Sequence, residues 1–296
     1  MSRVNARLRF IEPQLASPVD QPPKGNYWIH ELKRDGYRCQ VLLEQGSARV
    51  FTGNGHDCSE RYSSIVDAAS NLRCKTAILD GEAVVQDGSG TSDLDSLQSA
   101  KRWRAHEIIL YAFDLLHLDG IDLRRETLFE RRAKLRWLIG VNAESRIQFS
   151  EEFDGDGDTL LKTCTGHKLE SIVSKHSMSR YQSGRSKTWL KTKCFTESTF
   201  VVVGTDHDPD TGAPRALLAR NDSAGLIYAG AAFIALGGDA RAAFFAELER
   251  LQTFWTAFKS SRGVDVKWCD PKLTVEVKHL AGSKFLRHAT VRGFAR

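Results

Sequence analysis

Three short stretches of the chain each carry two charged side chains two positions apart, and this spacing restricts how the backbone around them can be used. The pairs lie in or beside strand-like runs: Lys33 and Asp35, Asp80 and Glu82, and Lys191 and Lys193. In an extended chain residues i and i+2 point to the same side, so each pair can direct two charged groups into one cleft. A fourth stretch, 169–175, places Glu170 and Ile172 on one face. Together the four predict a cleft lined by lysines, an arginine and carboxylates, a set that suits a nucleoside triphosphate with a divalent cation.

Each stretch also has a plainer interpretation when it is taken singly. The D-G-E sequence at 80–82 suits a hairpin turn with solvated acids. Lys191 and Lys193 suit an edge strand protected by lysines. Phe113 and Trp189 are aromatic residues that a hydrophobic core alone would explain. The order and the strand context of all four stretches together favour the cleft.

The hydrophobic patterning changes close to residue 193, and the length of 296 residues is typical of two domains. Before that point strands are predicted at 27–32, 37–43, 48–52, 77–85, 107–116 and 169–174, and helices at 60–72, 127–139 and 159–165. Residues 13–25 are predicted to form an irregular lead-in. After that point strands are predicted at 199–204, 216–219, 226–233 and 273–280, with a helix at 239–251 whose N-cap is Asp239.

These patterns predict an α+β fold. A domain with a mixed or antiparallel sheet over 1–194 is followed by an all-β domain over 195–296. Several short strands and one helix in about 100 residues suggest a small β-barrel such as an OB-fold.

Composition excludes several classes of protein. Hydrophobic residues make up 41% and charged residues 27%, the balance of a folded globular protein rather than a disordered one. The longest apolar stretch, 229–236, is far shorter than the about 20 residues that span a bilayer. The N-terminus lacks the pattern of a secretory leader. Six cysteines without a C-x-x-C pair argue against a zinc ribbon or a disulfide scaffold and favour reduced thiols in a cytoplasm.

The positive charge is concentrated near the C-terminus. The net charge is only +5, but residues 259–296 hold nine basic and three acidic side chains. This distribution is what a phosphate-binding face would show, although an ordinary solvated surface would show it too.

Five motifs, taken in order, resemble those of the ATP-dependent DNA ligases, which are covalent nucleotidyltransferases. They are K-R-D-G-Y-R (33–38), L-D-G-E (79–82), Y-A-F-D-L-L-H-L-D-G (111–120), L-E-S-I-V-S-K (169–175) and W-L-K-T-K (189–193). The resemblance runs from about Phe10 to the end and is greatest to the ligase domain of bacterial DNA ligase D, an enzyme of non-homologous end joining. It implies a nucleotidyltransferase domain followed by an OB-fold, and an enzyme that seals 5′-phosphate/3′-hydroxyl breaks in DNA.

The resemblance also implies a role for each candidate site residue. Lys33 would be the nucleophile that attacks the α-phosphate of ATP and becomes lysyl-AMP, and Asp35 would serve the later steps at the nick. Lys191 and Lys193 would contact the AMP phosphate, and Arg38 and Glu82 would contact the ribose. Glu31 would bind the adenine amine, while Phe113 and either Ile172 or Val173 would cover the two faces of adenine. Lys175 is the remaining nucleotide-site residue. Glu170, with Glu82, would hold Mg²⁺ or Mn²⁺. Arg287, Arg292 and Arg296 are candidates for contacts with DNA or pyrophosphate.

The partners that the resemblance implies are nicked or broken duplex DNA and a Ku-type end-binding protein. It further implies a monomer without a membrane association, located in the bacterial cytoplasm with the nucleoid.

The chain departs from the family pattern at three places. Gly53 stands where many ligases carry an arginine that holds the 5′-phosphate of the nick, and Ser171 stands in place of a glycine. The last motif, expected as R-x-D-K, is replaced by G-F-A-R. Because that motif orients the pyrophosphate leaving group, we expect adenylation from ATP to be slow while sealing of already adenylated DNA survives.

Two alternative functions stay open. An RNA ligase or mRNA-capping type of nucleotidyltransferase belongs to the same superfamily, and a capping enzyme would load GMP instead of AMP. A catalytically weak DNA-end-binding module is the other alternative. Gly53 and the last motif favour it, whereas Lys33 in an otherwise complete site argues against it.

Overall fold

The computed structural model describes residues 7–86, 105–142, 144–223, 225–254, 266–282 and 285–295. Contacts within the chain divide it into two units. The first unit comprises Met1–Lys162 and Ser171–Thr192, and the second comprises Thr163–Glu170 and Lys193–Arg296. Each unit has a hydrophobic core of its own.

Ten strands and three helices are described before residue 194. The strands are β1 (Gln14–Val19), β2 (Trp28–Leu32), β3 (Tyr37–Glu44), β4 (Ser47–Thr52), β5 (Thr76–Val84), β6 (Ile109–Leu118), β7 (Ile121–Asp122), β8 (Ile147–Phe149), β9 (Ser171–His176) and β10 (Gly184–Lys193). The helices are α1 (Ser63–Ser70), α2 (Leu128–Ile139) and α3 (Gly157–Gly166), and 3-10 turns occur at Ser59–Tyr62 and Ala105–Glu107.

Two sheets in the first unit carry most of the candidate nucleotide-site residues. One has the order β1-β10-β9-β2, and the other has the order β4-β3-β5-β6-β7 with β8 beside β6. Most neighbouring strands are antiparallel, whereas β1 with β10 and β6 with β8 are parallel, so the sheets are mixed. This agrees with the α+β expectation for this part of the chain.

Helix α1 packs into the core through an apolar face, and capping residues define the ends of helix α2. Ile65 and Ala69 of α1 are fully buried in the main core of the first unit. Helix α2 begins after Thr127, which forms a capping box with Glu130, and it ends at Gly140, where φ is 66°. The predicted helix at 127–139 is therefore confirmed, including its stop at Gly140.

The irregular lead-in predicted at 13–25 is wrong in its first half. Gln14–Val19 forms strand β1, parallel to β10. The strand lies at the edge of its sheet, where Pro18 can be accommodated because one side of an edge strand needs no hydrogen-bond donor.

The plainer interpretations of two charged pairs are also wrong. Asp80 and Glu82 lie inside β5, which pairs with β3 on one side and β6 on the other, so D-G-E is not a hairpin turn. Lys191 lies on β10, which is flanked by β1 and β9 and is therefore not an edge strand.

The second unit contains a closed sheet. Its strands are β11 (Phe195–His207), β12 (Pro214–Asp222), β13 (Gly225–Ile234), β14 (Lys267–Trp268), β15 (Thr274–Leu280) and β16 (Thr290–Phe294), and its helix is α4 (Gly238–Arg250). The order β11-β12-β13-β16-β15 returns to β11, with β14 added beside β11. The predicted N-cap Asp239 is wrong, because helix α4 begins at Gly238 after the extended residue Gly237. None of the described helices is both long and apolar enough to cross a membrane.

Candidate active site

A cleft of about 250 Å³ in the first unit brings together most of the predicted nucleotide-site residues. Those that line it are Glu31, Lys33, Arg38, Glu82, Phe113, Val173, Lys175 and Lys191. They come from six strands and the segment that follows β2. The cleft therefore depends on both sheets of the first unit.

Two glycines in the motifs allow the backbone to pack closely beside this cleft. A Cβ on Gly36 would lie 2.3 Å from the carbonyl oxygen of Ala83, and one on Gly81 would lie 2.7 Å from that of Tyr111. These contacts are shorter than any real Cβ contact, so K-R-D-G and D-G-E need glycine for the approach of neighbouring strands. The Lys33 amide donates to the Ser171 carbonyl at 3.1 Å, which ties Lys33 to the start of β9.

The lining of the cleft includes the buried carboxylate of Glu31. Its Oε1 is 2.8 Å from Lys175 Nζ and 2.9 Å from Arg132 Nη1, and its Oε2 accepts from Ser150 Oγ at 2.9 Å. Burial alone would raise the pKa of Glu31, but the charges of Lys175 and Arg132 outweigh burial and lower it. Glu31 is therefore held ionised as an acceptor.

Lys175 lies between this carboxylate and two aromatic rings. Its Nζ is 4.2 Å from the centre of the Phe113 ring and 4.6 Å from that of Trp189. Burial lowers the pKa of Lys175 to about 8, with Glu31 opposing the shift. The Phe113 and Trp189 rings are edge-to-face at 5.8 Å, which fixes the aromatic wall of the cleft.

Lys33, Arg38, Glu82 and Lys191 also line the cleft, and the Arg38 guanidinium lies 4.6 Å from the centre of the Phe113 ring. Arg38 makes two 2.7 Å bonds to the fully buried Asp80, whose Oδ2 also accepts from Tyr181 Oη at 2.8 Å. This bidentate pair positions the Arg38 guanidinium. Burial raises the pKa of Glu82 to about 7, because the nearby charges of Lys33 and Arg38 only partly offset it.

The raised pKa of Glu82 predicts a dependence of stability on pH. Between its ordinary value of 4.5 and about 7, the folded protein binds a proton that the unfolded chain has lost. The free energy of unfolding should therefore fall as pH rises through that window. We expect Glu82→Gln to reduce this fall, measured by urea unfolding at several pH values.

The exposed Glu144 supplies a matched control in the same unit. Glu144→Gln should keep the fall in stability that the unaltered protein shows. An equally steep fall in the Glu82→Gln protein would contradict the assignment.

Not all predicted residues line the cleft. Ile172 is completely buried, and the alternation along β9 gives the cleft side to Val173 and Lys175, so the expectation that Ile172 offers an aliphatic surface there is wrong. Asp35 is half-buried and lies outside the lining. Ser171 lies in strand β9 and is absent from the residues with positive φ, so its position does not need glycine.

Five candidates belong to the stretches of the second unit. Glu170 pairs with Arg287 at 2.7 Å, and Lys193 Nζ lies 2.9 Å from His288 Nε2. Arg292 is exposed on β16. Arg296 lies outside the described residues.

Several residues of the cleft or its immediate support escaped the sequence analysis, among them Arg34, Tyr111, Arg132, Ser150 and Arg185. Arg132 is buried on α2, and besides its pair with Glu31 it donates to the carbonyl oxygen of Ser150 at 2.9 Å. The available signal was a predicted helix with two adjacent arginines, Arg131 and Arg132, on the same face as its leucines at 128, 135 and 138. Gly53 adjoins Arg38 of the cleft, because a Cβ on Gly53 would lie 3.3 Å from Arg38 Cβ.

The donor set suits a nucleotide more clearly than it suits a metal alone. Its lysines and arginine match phosphate and ribose oxygens, and its aromatic wall with a carboxylate matches a base. Among the described residues, no three His, Cys, Asp or Glu side chains are grouped to hold a metal ion.

Comparison with known proteins places the sequence among ligases. The family profile described as ATP dependent DNA ligase domain matches residues 13–193. The multifunctional non-homologous end joining protein LigD of Pseudomonas aeruginosa is 41% identical over 196 residues, 66% of this chain and 23% of that protein. A DNA ligase of Pyrobaculum calidifontis is 30% identical over 220 residues, 68% of this chain and 38% of that protein. The chain spans 23% to 26% of the length of the LigD relatives.

Solved structures agree with this result. The ligase domain of LigD from M. tuberculosis is 27% identical with a TM-score of 0.59, covering 96% of this chain and 94% of that chain. A mycobacterial DNA ligase D complexed with ATP and MES is also 27% identical, with a TM-score of 0.58 and the same coverage. Because the family profile spans residues 13–193 of 296, more than half of the sequence, the chain belongs to the ATP-dependent DNA ligase domain family.

Proposed function

We propose that this chain is a DNA ligase that uses ATP to seal 5′-phosphate/3′-hydroxyl breaks through a lysyl-AMP intermediate on Lys33, in bacterial double-strand break repair. The observation that carries the proposal is the single cleft that brings Lys33 and Lys191 together with Glu31 and Phe113. The LigD relatives and the mycobacterial ligase D complexed with ATP support the choice of nucleotide and of repair role.

In the first step Lys33 Nζ, having given up a proton, attacks the α-phosphorus of ATP. A nitrogen–phosphorus bond forms, the bond to the bridging oxygen breaks, and pyrophosphate leaves. Lys191 and Lys193 neutralise the negative charge that builds up on the phosphate oxygens. Positioning and charge neutralisation supply most of the catalysis in such transfers.

The rest of the nucleotide is held by the remaining cleft residues. Arg38, oriented by Asp80, and Glu82 bind the ribose, and Glu31 accepts from the adenine amine. Phe113 and Val173 cover the two faces of the base. Lys175 and Arg132 keep Glu31 ionised, so that it remains an acceptor.

The later steps transfer AMP to the 5′-phosphate of DNA, after which the 3′-hydroxyl displaces it. We assign Asp35 to these steps. The closed five-strand sheet of the second unit suits an OB-fold, and we place the domain boundary between 194 and 195. The basic residues of 259–296, including Arg287, Arg292 and Arg296, favour duplex DNA as the partner.

A divalent cation, Mg²⁺ or Mn²⁺, is part of the proposal. Glu170 and Glu82 are the carboxylates that would hold it, and it would offset charge on the phosphates. Glu170 would first have to leave its ion pair with Arg287. A Ku-type protein at the DNA end and a location in the cytoplasm with the nucleoid complete the proposal.

Transfer of label from α-labelled ATP, with GTP in parallel, tests this function. We expect the protein to take up label from ATP and not from GTP. Uptake from GTP would instead indicate a capping-type enzyme. Sealing of pre-adenylated nicks without uptake of label would place the defect in the last motif. The absence of both activities would favour a DNA-end-binding module.

A further inference from the structure

Tyr181 connects the two sheets of the first unit through its hydroxyl group. The residue is buried and lies in the segment between β9 and β10. Its Oη accepts from the main-chain N–H of Gln14 on β1 at 2.9 Å and donates to Oδ2 of Asp80 on β5 at 2.8 Å. Strand β1 belongs to one sheet and β5 to the other, and both strands contribute residues to the lining of the cleft. The hydroxyl therefore fixes two strands that line the cleft relative to each other.

The direction of these two hydrogen bonds follows from the chemistry of the groups. A main-chain N–H can only donate and a carboxylate can only accept, so the hydroxyl between them accepts from Gln14 and donates to Asp80. Burial raises the pKa of Tyr181, which keeps the proton on the hydroxyl. Tyr181 is therefore held as a donor to Asp80.

The ring of Tyr181 is also held in place by its neighbours. The Tyr181 and Trp189 rings are edge-to-face, with 6.2 Å between their centres. Cζ of the buried Arg131 lies 5.8 Å from the centre of the Tyr181 ring. The main-chain N–H of Tyr181 donates to the carbonyl oxygen of Arg124 at 3.0 Å. The hydroxyl is thus positioned by the protein alone, before a ligand arrives.

Asp80 transmits this position to the cleft. Its Oδ1 accepts from Arg38 Nε and its Oδ2 from Arg38 Nη2, both at 2.7 Å, so Oδ2 is shared between Arg38 and Tyr181. A carboxylate can turn about its terminal bond, and the Arg38 guanidinium would turn with it. The hydrogen bond from Tyr181 to Oδ2 opposes that turn. The guanidinium that is held in this way lies 4.6 Å from the centre of the Phe113 ring.

Of these three hydrogen-bonded residues, only Arg38 lines the cleft. Two of its guanidinium nitrogens are bonded to Asp80, and no described residue bonds the third, Nη1, which can therefore donate to a ligand. We propose that Tyr181 is a positioning residue for Arg38: by holding Oδ2 of Asp80 it keeps the Arg38 guanidinium in the orientation that binds the ribose hydroxyls of ATP. This inference rests on the proposed function, because it assumes that the cleft binds ATP with the ribose at Arg38.

Binding of nucleotide without chemistry tests the role of Tyr181. The probes are ATP and 2′,3′-dideoxy-ATP, which lacks both ribose hydroxyls, titrated by calorimetry into the full chain carrying Lys33→Ala. The ratio of the two dissociation constants measures what the ribose hydroxyls contribute to binding. We expect the Lys33→Ala protein to bind ATP about tenfold more tightly than the dideoxy analogue, and the further change Tyr181→Phe to lower that ratio to about twofold.

This ratio separates positioning from support of the fold. Phenylalanine keeps the ring but removes the hydroxyl, so the Asp80 carboxylate loses one of its donors. A purely structural loss would weaken the binding of both probes by the same factor and leave the ratio unchanged. Asp80→Asn interrupts the same chain of hydrogen bonds, because one amide oxygen replaces two carboxylate oxygens, and it should also lower the ratio. It decides the question if the Tyr181→Phe protein does not fold.

Tyr62→Phe supplies the matched control. Tyr62 is likewise a buried tyrosine of the first unit, but it packs in the main core and does not line the cleft. Added to Lys33→Ala, this change should leave the ratio close to tenfold.

The outcomes separate this inference from the function on which it rests. An unchanged ratio in the Tyr181→Phe protein, or an equal fall in the Tyr62→Phe control, would overturn the role of Tyr181 while ATP binding stands. Equal binding of the two probes by the Lys33→Ala protein would do the same, because Arg38 would then gain nothing from the ribose hydroxyls. Absence of ATP binding by the Lys33→Ala protein itself would overturn the proposed function, and this inference with it.

Discussion

Replacing Lys33 with alanine should abolish the transfer of AMP to the protein and lower the joining of nicked DNA by about a thousandfold or more. The reason is that the proposed route has a covalent intermediate on Lys33 Nζ, and the cleft offers no second amine in the same position. Lys175 and Lys191 also line the cleft, but they lie on strands β9 and β10, whereas Lys33 follows β2. Gel assays of protein labelling and of nick sealing measure both effects.

A lysine outside the cleft provides the control for this prediction. Lys162 is exposed on helix α3 of the first unit, so Lys162→Ala should leave labelling and sealing close to those of the unaltered protein. ATP binding should survive in the Lys33→Ala protein, because the aromatic wall and Glu31 are untouched. Normal labelling of the Lys33→Ala protein would refute the assignment of the nucleophile.

Replacing Arg131 with methionine should lower the free energy of unfolding by about 3–5 kcal/mol. Arg131 and Asp114 are both completely buried and form two bonds of 2.7 and 2.8 Å. Arg131 Nη1 also donates to the carbonyl oxygens of Glu126 and Ser179. Methionine fills much of the volume but leaves the Asp114 carboxylate unpaired in the core, which urea unfolding would detect.

An exposed ion pair of the same kind is the control. Arg124 and Asp122 are bonded at 2.7 Å, but their side chains are 43% and 52% exposed. Arg124→Ala should therefore cost less than about 1 kcal/mol. Equal losses of stability in the two variants would show that burial does not decide the strength of these pairs.

Asp114, the aspartate of Y-A-F-D, is assigned to holding α2 on β6 through its pair with Arg131, and not to chemistry.

The spacing of charged residues predicted the site only in part. One member of each pair lines the cleft, namely Lys33, Glu82 and Lys191. Asp80 is completely buried and instead binds the Arg38 guanidinium, while Lys193 belongs to the second unit. Local periodicity can say that two side chains share a face, but the packing of neighbouring strands decides which of them reaches a cavity.

The features that the sequence analysis missed depend on contacts between distant parts of the chain. Arg132 reaches Glu31 across 101 positions, and Arg34 lies over Tyr111 on a different strand. No local pattern encodes such pairs. Strand β1 was missed for another reason, because Pro18 argues against a strand unless the edge position is known.

A chase of the labelled protein tests the central claim most directly. The protein would be labelled with α-labelled ATP, freed of nucleotide, and mixed with nicked duplex DNA in a single turnover. The account predicts that label leaves the protein as strands are joined, with about one strand joined for each label lost, because both steps draw on the same lysyl-AMP. Label that stays on the protein while the nicks remain open, or strands that are joined without loss of label, would contradict it.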